Sequence, residues 1–557
     1  MMAFFFILIA FLWFIRETKA ILFWLYLWQL KEYRFGRFFD HFRTYQGKKL
    51  FFNFFFIFKI ILFLYVLSLA FYPKLLAWQL YALWIVILAV IYFFEDAKTV
   101  LDFFQKNLKK PVLTQKGKIL ILVSLIVAFL FLFILFQKFQ KIKLFYWFSF
   151  SLLSFDILTP FLVSGIVLLF QPLTVYWQNK IIKRAKEKRA KIKDLIVIGI
   201  TGSYGKTSTK EFLNTILSSK FKVLSTPAHQ NTDIAIAQLI LKKLTQDIEI
   251  FITEMAAYKR GEITSACQIV KPKIGILTGI NEQHMATFGS LENIIKTKYE
   301  LIESLPEMGF AIFNGDNQYC RELYKKAQLS KRICYTKFLA SAQEVVVGDF
   351  WAKEIKVEKE SLSFKVFSRR WGEIFEFKVN LLGEHHAQNI LMAAIIGKEV
   401  LGMTLEETAR ACQKIKPLPH QMELKKGIAG LNIIDATYSA NPDGVISHLE
   451  YLKIWPGKKI IVMPCLIELG KASKEVHKRI GQKIAEGCHL AIITTKERFQ
   501  DITRAGIEKG MPSGNILFIE NPKKIFEKIK SFCEKGDVIL LESRVPAELI
   551  KQLVMSE

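Results

Sequence analysis

Long apolar runs dominate the first third of the chain: Phe54 to Tyr72, Leu75 to Phe94, Ile119 to Phe136 and Phe145 to Phe170. A helix needs about 20 residues to cross roughly 30 Å of hydrocarbon, so each run predicts a membrane span. The stretch Met1 to Leu30 is apolar too, but Arg16, Glu17 and Lys19 interrupt it. It reads as one long tilted helix with those charges near one interface, or as a span plus an interfacial segment. No basic region precedes it and no small-residue cleavage site follows, which argues against a cleavable signal peptide. From Leu195 the pattern changes to short β-rich runs alternating with amphipathic helices: "LIVIGI", "IEIFITEM", "KIGILTGI", "FAIFN", "LNIIDA", "KIIVMP", "LAIITT" and "DVILL". Strands alternating with helices predict parallel sheets covered on both faces.

At 557 residues the chain exceeds a single core. The expected organisation is an α-helical transmembrane bundle of about five helices over 1–177, a basic linker over 178–194, a central α/β domain over 195–416 and a Rossmann-like α/β domain over 417–557, with the last boundary at "KPLPH". The net charge of +27 would suit nucleic acid. The basic residues, however, gather in Lys31 to Lys49, Lys98 to Lys118 and Lys180 to Lys193, between and after the apolar runs. That grouping fits the positive-inside rule better, placing these segments in the cytoplasm and the N-terminus outside. The loop Gln137 to Lys143, with three lysines, would then lie outside and counts against this topology. Lys59 and Asp156 are the ionisable residues inside the expected spans and candidates for function. The bland alternatives are a snorkelling Lys59 and an Asp156 that satisfies a helix break at Pro160. The segment Gln178 to Lys193 is helical in character and is expected along the membrane surface or as a link. None of the seven cysteines is in a CxxC pair or beside a His at metal-ligand spacing, which argues for a reducing compartment with no disulfide framework and no structural zinc.

The strand "LIVIGI" leads into Thr201-Gly202-Ser203-Tyr204-Gly205-Lys206-Thr207-Ser208 and then a helix. Glycines let backbone N–H groups turn toward phosphate oxygens. Lys206 would reach the outer phosphates and Thr207 would hold Mg²⁺, so ATP is the expected ligand. The spacing departs from GxxxxGK[ST], because Ile200 stands at the first-glycine position.

Several blocks in order resemble the Mur ligase family: "TGSYGKTST", "TEMAAYKRGEI" (Thr253 to Ile263), "NEQHMATFGSLENIIKTKYEL" (Asn281 to Leu301), "FNGDN" (Phe313 to Asn317), "GEHHAQNILMAA" (Gly383 to Ala394), "IIDATYSANPDGV" (Ile433 to Val445) and "LIELGKASKEVH" (Leu466 to His477). The last two resemble most the branch that adds D-alanyl-D-alanine. The resemblance implies an ATP-dependent ligase of peptidoglycan precursor synthesis that activates a muramoyl-peptide carboxylate as an acyl phosphate and joins it to an amino acid or dipeptide. It implies Glu254 and His284 as magnesium ligands beside Thr207, and Lys298 as a carbamylated lysine that positions metal or phosphate. It also implies Asn389, Asn314 and Asp316 on the adenine side, and Asp435 at the ribose. His385 and Tyr438 match family positions without an evident duty.

Departures are Gln421 and Glu384 where the family commonly has Arg, and "LLESRVP" in place of "VKGSR". The largest is the apolar N-terminal region, which stands where soluble members hold the UDP-sugar end of the substrate. It is expected to bring the ligase to a membrane-bound substrate or partner, such as a lipid-linked muropeptide or cell-wall synthesis proteins; the muramoyl-peptide substrate itself would be UDP- or lipid-linked. Competing readings are a related ligase acting on another cell-envelope carboxylate, and a membrane scaffold or transporter with a regulatory ATP site.

Overall fold

The computed structural model describes residues 2–69, 74–105, 108–139, 145–329, 331–336, 350–368 and 374–555. It divides into two compact units, Met1–Gln178 and Asn179–Glu557, taken in turn below.

The first unit is helical: α1 (Met2–Leu30), α2 (Phe35–His41), α3 (Tyr45–Phe51), α4 (Phe54–Leu69), α5 (Lys74–Phe104), α6 (Gln115–Lys138), α7 (Phe145–Leu169) and the start of α8 (Gln171–Ala190). Helix α1 packs against α5, α6 and α7. Two of its three indoles are fully buried and satisfied: Trp13 Nε1 donates to the Leu152 carbonyl at 3.0 Å and Trp28 Nε1 to Ser164 Oγ at 3.0 Å. An indole N–H left unpaired in such a core would cost its full desolvation. Of the two readings of the N-terminus, the single long helix holds, and its charges lie mid-helix.

Two stretches among the described residues, Gln115–Lys138 and Trp147–Ala190, are long and apolar enough to cross a membrane, and Phe54–Ser68 is a shorter apolar helix. The expected span Leu75 to Phe94 forms the first part of α5, which continues to Phe104. The end of the expected Phe54 to Tyr72 span, and most of the Gln137 to Lys143 loop, lie outside the described residues.

Two bland readings are corrected. Lys59 does not snorkel: it is 2% exposed and pairs with Glu95 and, at 2.9 Å, with Asp156. Asp156 does not serve a break at Pro160, because α7 continues through that proline; its carboxylate pairs instead with Arg16 and Lys59.

The second unit holds two sheets. The larger has the order β2-β3-β1-β4-β5-β6-β7-β8-β9, from β1 (Ile196–Thr201), β2 (Val223–Ser225), β3 (Ile250–Glu254), β4 (Ile274–Leu277), β5 (Phe310–Asn314), β6 (Lys331–Thr336), β7 (Phe350–Val357), β8 (Leu362–Ser368) and β9 (Ile374–Val379). The smaller runs β10-β11-β15-β12-β13-β14, from β10 (Glu423–Lys426), β11 (Asn432–Ala436), β12 (Lys459–Met463), β13 (Leu490–Ile493), β14 (Ile516–Phe518) and β15 (Val538–Glu542). The expectation of parallel sheets holds for β1 to β7. It fails at β8 and β9, which complete an antiparallel meander, and at β10, which pairs antiparallel with β11. The meander escapes a reading by alternation because the register shifts between Lys353 and Lys356 within β7, where the chain reads "KEIKV".

Strands β1, β3 and β4 are buried on both faces, as continuous apolar runs require in a parallel sheet. Their C-terminal ends carry Thr201, Glu254 and Leu277, so the loops that follow gather at one edge. Ligands of open α/β sheets bind at that edge. The stretch Gln178 to Lys193, expected as a linker or surface segment, continues as helix to Ala190. Ile181, Ile182 and Ala185 join the core under β1 and β3, and Arg189 Nε donates to the Val270 carbonyl at 2.8 Å.

Candidate functional site

The loop after β1 opens α9 (Lys206–Leu217). Gly202 and Gly205 have φ of +155° and +76°. A Cβ at Gly202 would come within 2.1 Å of Thr278 Oγ1, and one at Gly205 within 3.0 Å of Asn389 Oδ1. Only glycine fits both positions, and the backbone can turn its N–H groups inward. Lys206 Nζ donates to the Gly202 and Ser203 carbonyls at 2.8 and 3.3 Å, curled over the loop. Burial holds its ammonium below the usual lysine range, with Glu254 acting in the opposite direction.

The next residue contacts β3: Thr207 Oγ1 donates to Glu254 Oε2 at 3.0 Å, and Asn231 Nδ2 donates to Glu254 Oε1 at 2.9 Å. Glu254, at the end of β3, is 3% exposed. Lys210, fully buried, lies behind it: Nζ is 4.0 Å from Glu254 Oε2 and donates to the Thr226 carbonyl at 2.6 Å, while the Glu254 N–H donates to Thr226 Oγ1 at 3.0 Å. Lys210 and Asn231 went unread because neither carries a motif of its own.

His284 begins the short helix Met285–Phe288 in a left-handed conformation, φ 64°. Its Nδ1 lies 2.5 Å from Glu468 Oε2, and its ring meets Tyr258 edge-on. Burial lowers its pKa against the pull of Glu468, with Lys298 and Lys206 adding to the lowering. The imidazole is therefore held neutral with Nδ1 committed, which leaves Nε2 as the nitrogen able to meet a metal. Lys298, on the buried side of the helix Leu291–Glu303, is 4% exposed. Burial and then the Lys206 charge bring its ammonium down to about 7.

The remaining candidates surround the loop. Asn314 Nδ2 donates to the Thr278 carbonyl at 2.7 Å, and its Oδ1 accepts from the Asp316 N–H at 3.0 Å. Asp316 Oδ2 accepts from Gln388 Nε2 at 2.7 Å, and Asn389 Oδ1 from Thr209 Oγ1 at 3.3 Å. Asp435 lies on β11, fully buried. Its Oδ2 meets His420 Nδ1 at 2.8 Å and Lys425 Nζ at 2.6 Å, and Thr437 donates to Oδ1. Burial alone would raise its pKa, but these donors outweigh burial and hold it below the usual carboxylate range. His420, Glu423 and Asp435 stand close enough together to share a cation, and the Lys425 ammonium, 3.1 Å from Glu423, already supplies one. Tyr438 stacks on His229, and His385 Nδ1 lies 3.0 Å from Ser447 Oγ.

The departures also find places. Gln421 Oε1 accepts from the Ser208 hydroxyl at 3.2 Å, so the position where the family commonly has Arg stands against the phosphate loop. Glu542 of "LLESRVP" is buried and meets His448 Nδ1 at 2.6 Å. The two sheets face each other across polar pairs the sequence did not announce: Asn281 to Asp443 at 2.7 Å, Arg479 to Glu282 at 2.9 Å, and His284 to Glu468.

Comparison with known proteins agrees with this geometry. Residues 200–397 match the model of the Mur ligase middle domain, and residues 420–544 that of the Mur ligase, glutamate ligase domain; together they make up more than half of the chain. The chain is 27% identical over 365 residues to the UDP-N-acetylmuramoyl-tripeptide–D-alanyl-D-alanine ligase of Bacillus subtilis (strain 168), covering 65% of this chain and 76% of that protein. It is likewise 27% identical over 352 residues to the ligase of that name from Escherichia coli (strain K12), covering 62% and 76%. Among solved structures, MurF ligase from Thermotoga maritima in complex with ADP superimposes with a TM-score of 0.58 at 26% identity, over 67% of this chain and 83% of that one. Two α/β domains with a phosphate loop at their facing edges, matched in order by both domain models, assign this chain to the Mur ligase family of ATP-dependent, amide-forming ligases.

Proposed function

We propose that this chain joins a D-alanyl-D-alanine-like dipeptide to the carboxylate of a muramoyl peptide, in the cytoplasm, at a membrane that holds residues 1–177. The observation that carries the ligase chemistry is the Thr207 hydroxyl bonded to the buried Glu254 carboxylate at the mouth of the phosphate loop. Relatives bearing the D-alanyl-D-alanine ligase name, together with "YSANPDG" and "LIELGKAS", support the dipeptide.

Hydroxyl and carboxylate oxygens are hard donors suited to Mg²⁺, so Thr207 and Glu254 fit that ion, with His284 through Nε2 as a third member. Bound there, Mg²⁺ would screen the γ-phosphate while the substrate carboxylate attacks it. Lys206 swings from its carbonyl partners to the outer phosphates, and the loop N–H groups cradle the inner ones. Asn314, Asp316 and Asn389 border the adenine, and Asp435, held ionised by Lys425, takes the ribose. A Lys298 amine near neutrality is open to carbamylation, which would turn a buried cation into an anion facing Lys206. The incoming amine displaces phosphate from the activated carboxyl, and the amide results.

The membrane placement rests on an inverted distribution in the first unit. Phe11, Leu64, Phe93, Leu122, Phe129 and Phe161 point outward while Arg16, Glu17, Lys59 and Asp156 point inward. Water favours the reverse and lipid favours this.

The test offers the full-length protein a panel of amines with UDP-muramoyl tripeptide and with its lipid-linked form. Product formation with D-alanyl-D-alanine above single amino acids supports the reading; preference for another amine contradicts it.

A further inference from the structure

We propose that the helical unit contains a proton-binding site centred on the Asp96 carboxylate and reached along one polar stripe of α5, an inference that rests on the membrane placement above. Inside the bundle, Arg16 pairs with Glu17 at 3.1 Å, with Glu95 at 3.4 Å and with Asp156, while Lys59 pairs with Glu95 and with Asp156 at 2.9 Å. Thr159 Oγ1 donates to Glu17 Oε1 at 2.6 Å. Asp96, beside Glu95, is 6% exposed, lies within electrostatic range of Arg16, Lys19 and Lys59, and neither of its oxygens has a hydrogen-bond partner among the described residues. The fully buried Tyr92 hydroxyl, one turn before, also has none, and Lys59 Nζ lies 5.4 Å from its ring.

The cluster does not balance. Arg16 and Lys59 face Glu17, Glu95, Asp96 and Asp156, so two negative charges are in excess if all ionise. The neighbouring pair Lys19–Asp102, 3.1 Å apart, balances itself. Helix α6, packed on α1 and α7, carries Lys116, Lys118 and Lys138 only in its end turns and contributes the neutral Ser124 in between. Uncompensated charge is costly to bury, and uptake of a cation or a proton lowers the excess; one proton on Asp96 halves it. A metal ion is disfavoured, because Arg16 and Lys59 already occupy the carboxylates it would need. A proton needs a single oxygen, and Asp96 offers two without partners. A set of ion pairs retained for packing alone would be neutral, with every oxygen held.

A route is also present. Tyr92, Glu95, Asp96, Thr99 and Asp102 recur at three- and four-residue spacing along one side of α5, and Asp102 ends the stripe with its side chain 28% exposed. The step is a proton transfer: at the Lys19–Asp102 end a hydronium ion loses one O–H bond and is left as water, and the proton forms one O–H bond on an Asp96 oxygen.

The experiment uses the full chain in lipid nanodiscs and infrared spectra of the carboxylic-acid C=O stretch, in H₂O and D₂O, against pH. The expected result is a deuterium-sensitive band at pH 7 that diminishes by one carboxyl in Asp96→Asn and reappears, shifted, in Asp96→Glu, with Asp102→Asn keeping the band but slowing its deuteration. An unchanged band in Asp96→Asn, while an unchanged helical amide band in the same spectra shows the variant folded, overturns the proposal. Resistance of the chain to carbonate extraction is read separately: extraction would overturn the membrane placement, whereas the band alone decides the proton site.

Discussion

Thr207 and Glu254 stand 47 positions apart in the chain and meet side chain to side chain at 3.0 Å, one at the start of α9 and the other at the end of β3. The parallel pairing of β1 with β3, Ile200 opposite Glu254, sets that meeting. Replacing Glu254 by Gln keeps the shape and removes the charge that a divalent ion needs. ADP release in Glu254→Gln is expected to fall about 100-fold or more, while Thr207→Ser, which keeps the hydroxyl, retains most of it. Equal loss in both would deny the pair this role.

Lys210 holds Glu254 from behind without reaching the phosphate loop. In Lys210→Met the carboxylate loses a buried counter-charge and the Thr226 carbonyl loses its Lys210 donor, while the Glu254 N–H stays bonded to Thr226 Oγ1. The Mg²⁺ concentration for half-maximal rate is expected to shift about 10-fold, with the KM for the amine unchanged. A uniform loss of rate with no Mg²⁺ shift would mark Lys210 as structural only.

Carbamylation needs the neutral amine. With the Lys298 ammonium at about 7, the neutral fraction is small at pH 6 and dominant at pH 8. Carbon-13 NMR with labelled bicarbonate is expected to give a carbamate signal that grows across this range and is missing in Lys298→Arg. A signal independent of Lys298 would contradict the assignment.

His386 supplies a stability prediction. It is 4% exposed, packs edge-on to Phe212, and burial, then the nearby His448, lowers its pKa from 6.5 to about 3. Between these values the unfolded chain binds a proton that the folded chain refuses, so stability falls as pH drops from about 6.5 toward 3. The group is neutral in both states above pH 6.5 and costs nothing there. Thermal melts are expected to show that His386→Asn, which cannot titrate, flattens this acid slope by on the order of a few kcal/mol at its foot. A slope unchanged by the substitution would contradict it.

Much of the site was legible because it is local. Residues 199–212 hold strand end, glycines, lysine and hydroxyl in one contiguous run, and the blocks from Thr253 to His477 single out Glu254, His284 and Lys298 as candidates. What the sequence hid is what contacts across distance create. Asn231 and Lys210 acquire meaning only when β2 and α9 close on β3, and Glu468 only when the second sheet faces the first. The buried cluster was half seen. Lys59 and Asp156 stood out inside apolar runs, but Glu95 and Asp96 lay just past a span drawn to end at Phe94, and Glu17 finds Thr159 from 142 positions away.

The central claim, that ATP is spent on joining an amine to a muramoyl-peptide carboxylate, is tested most directly by ADP release from the full-length protein in detergent, with and without UDP-muramoyl tripeptide and D-alanyl-D-alanine, beside Lys206→Ala. Release that requires both substrates and is lost in Lys206→Ala is the predicted result. Release that proceeds without the amine, or that survives the loss of Lys206, would contradict it.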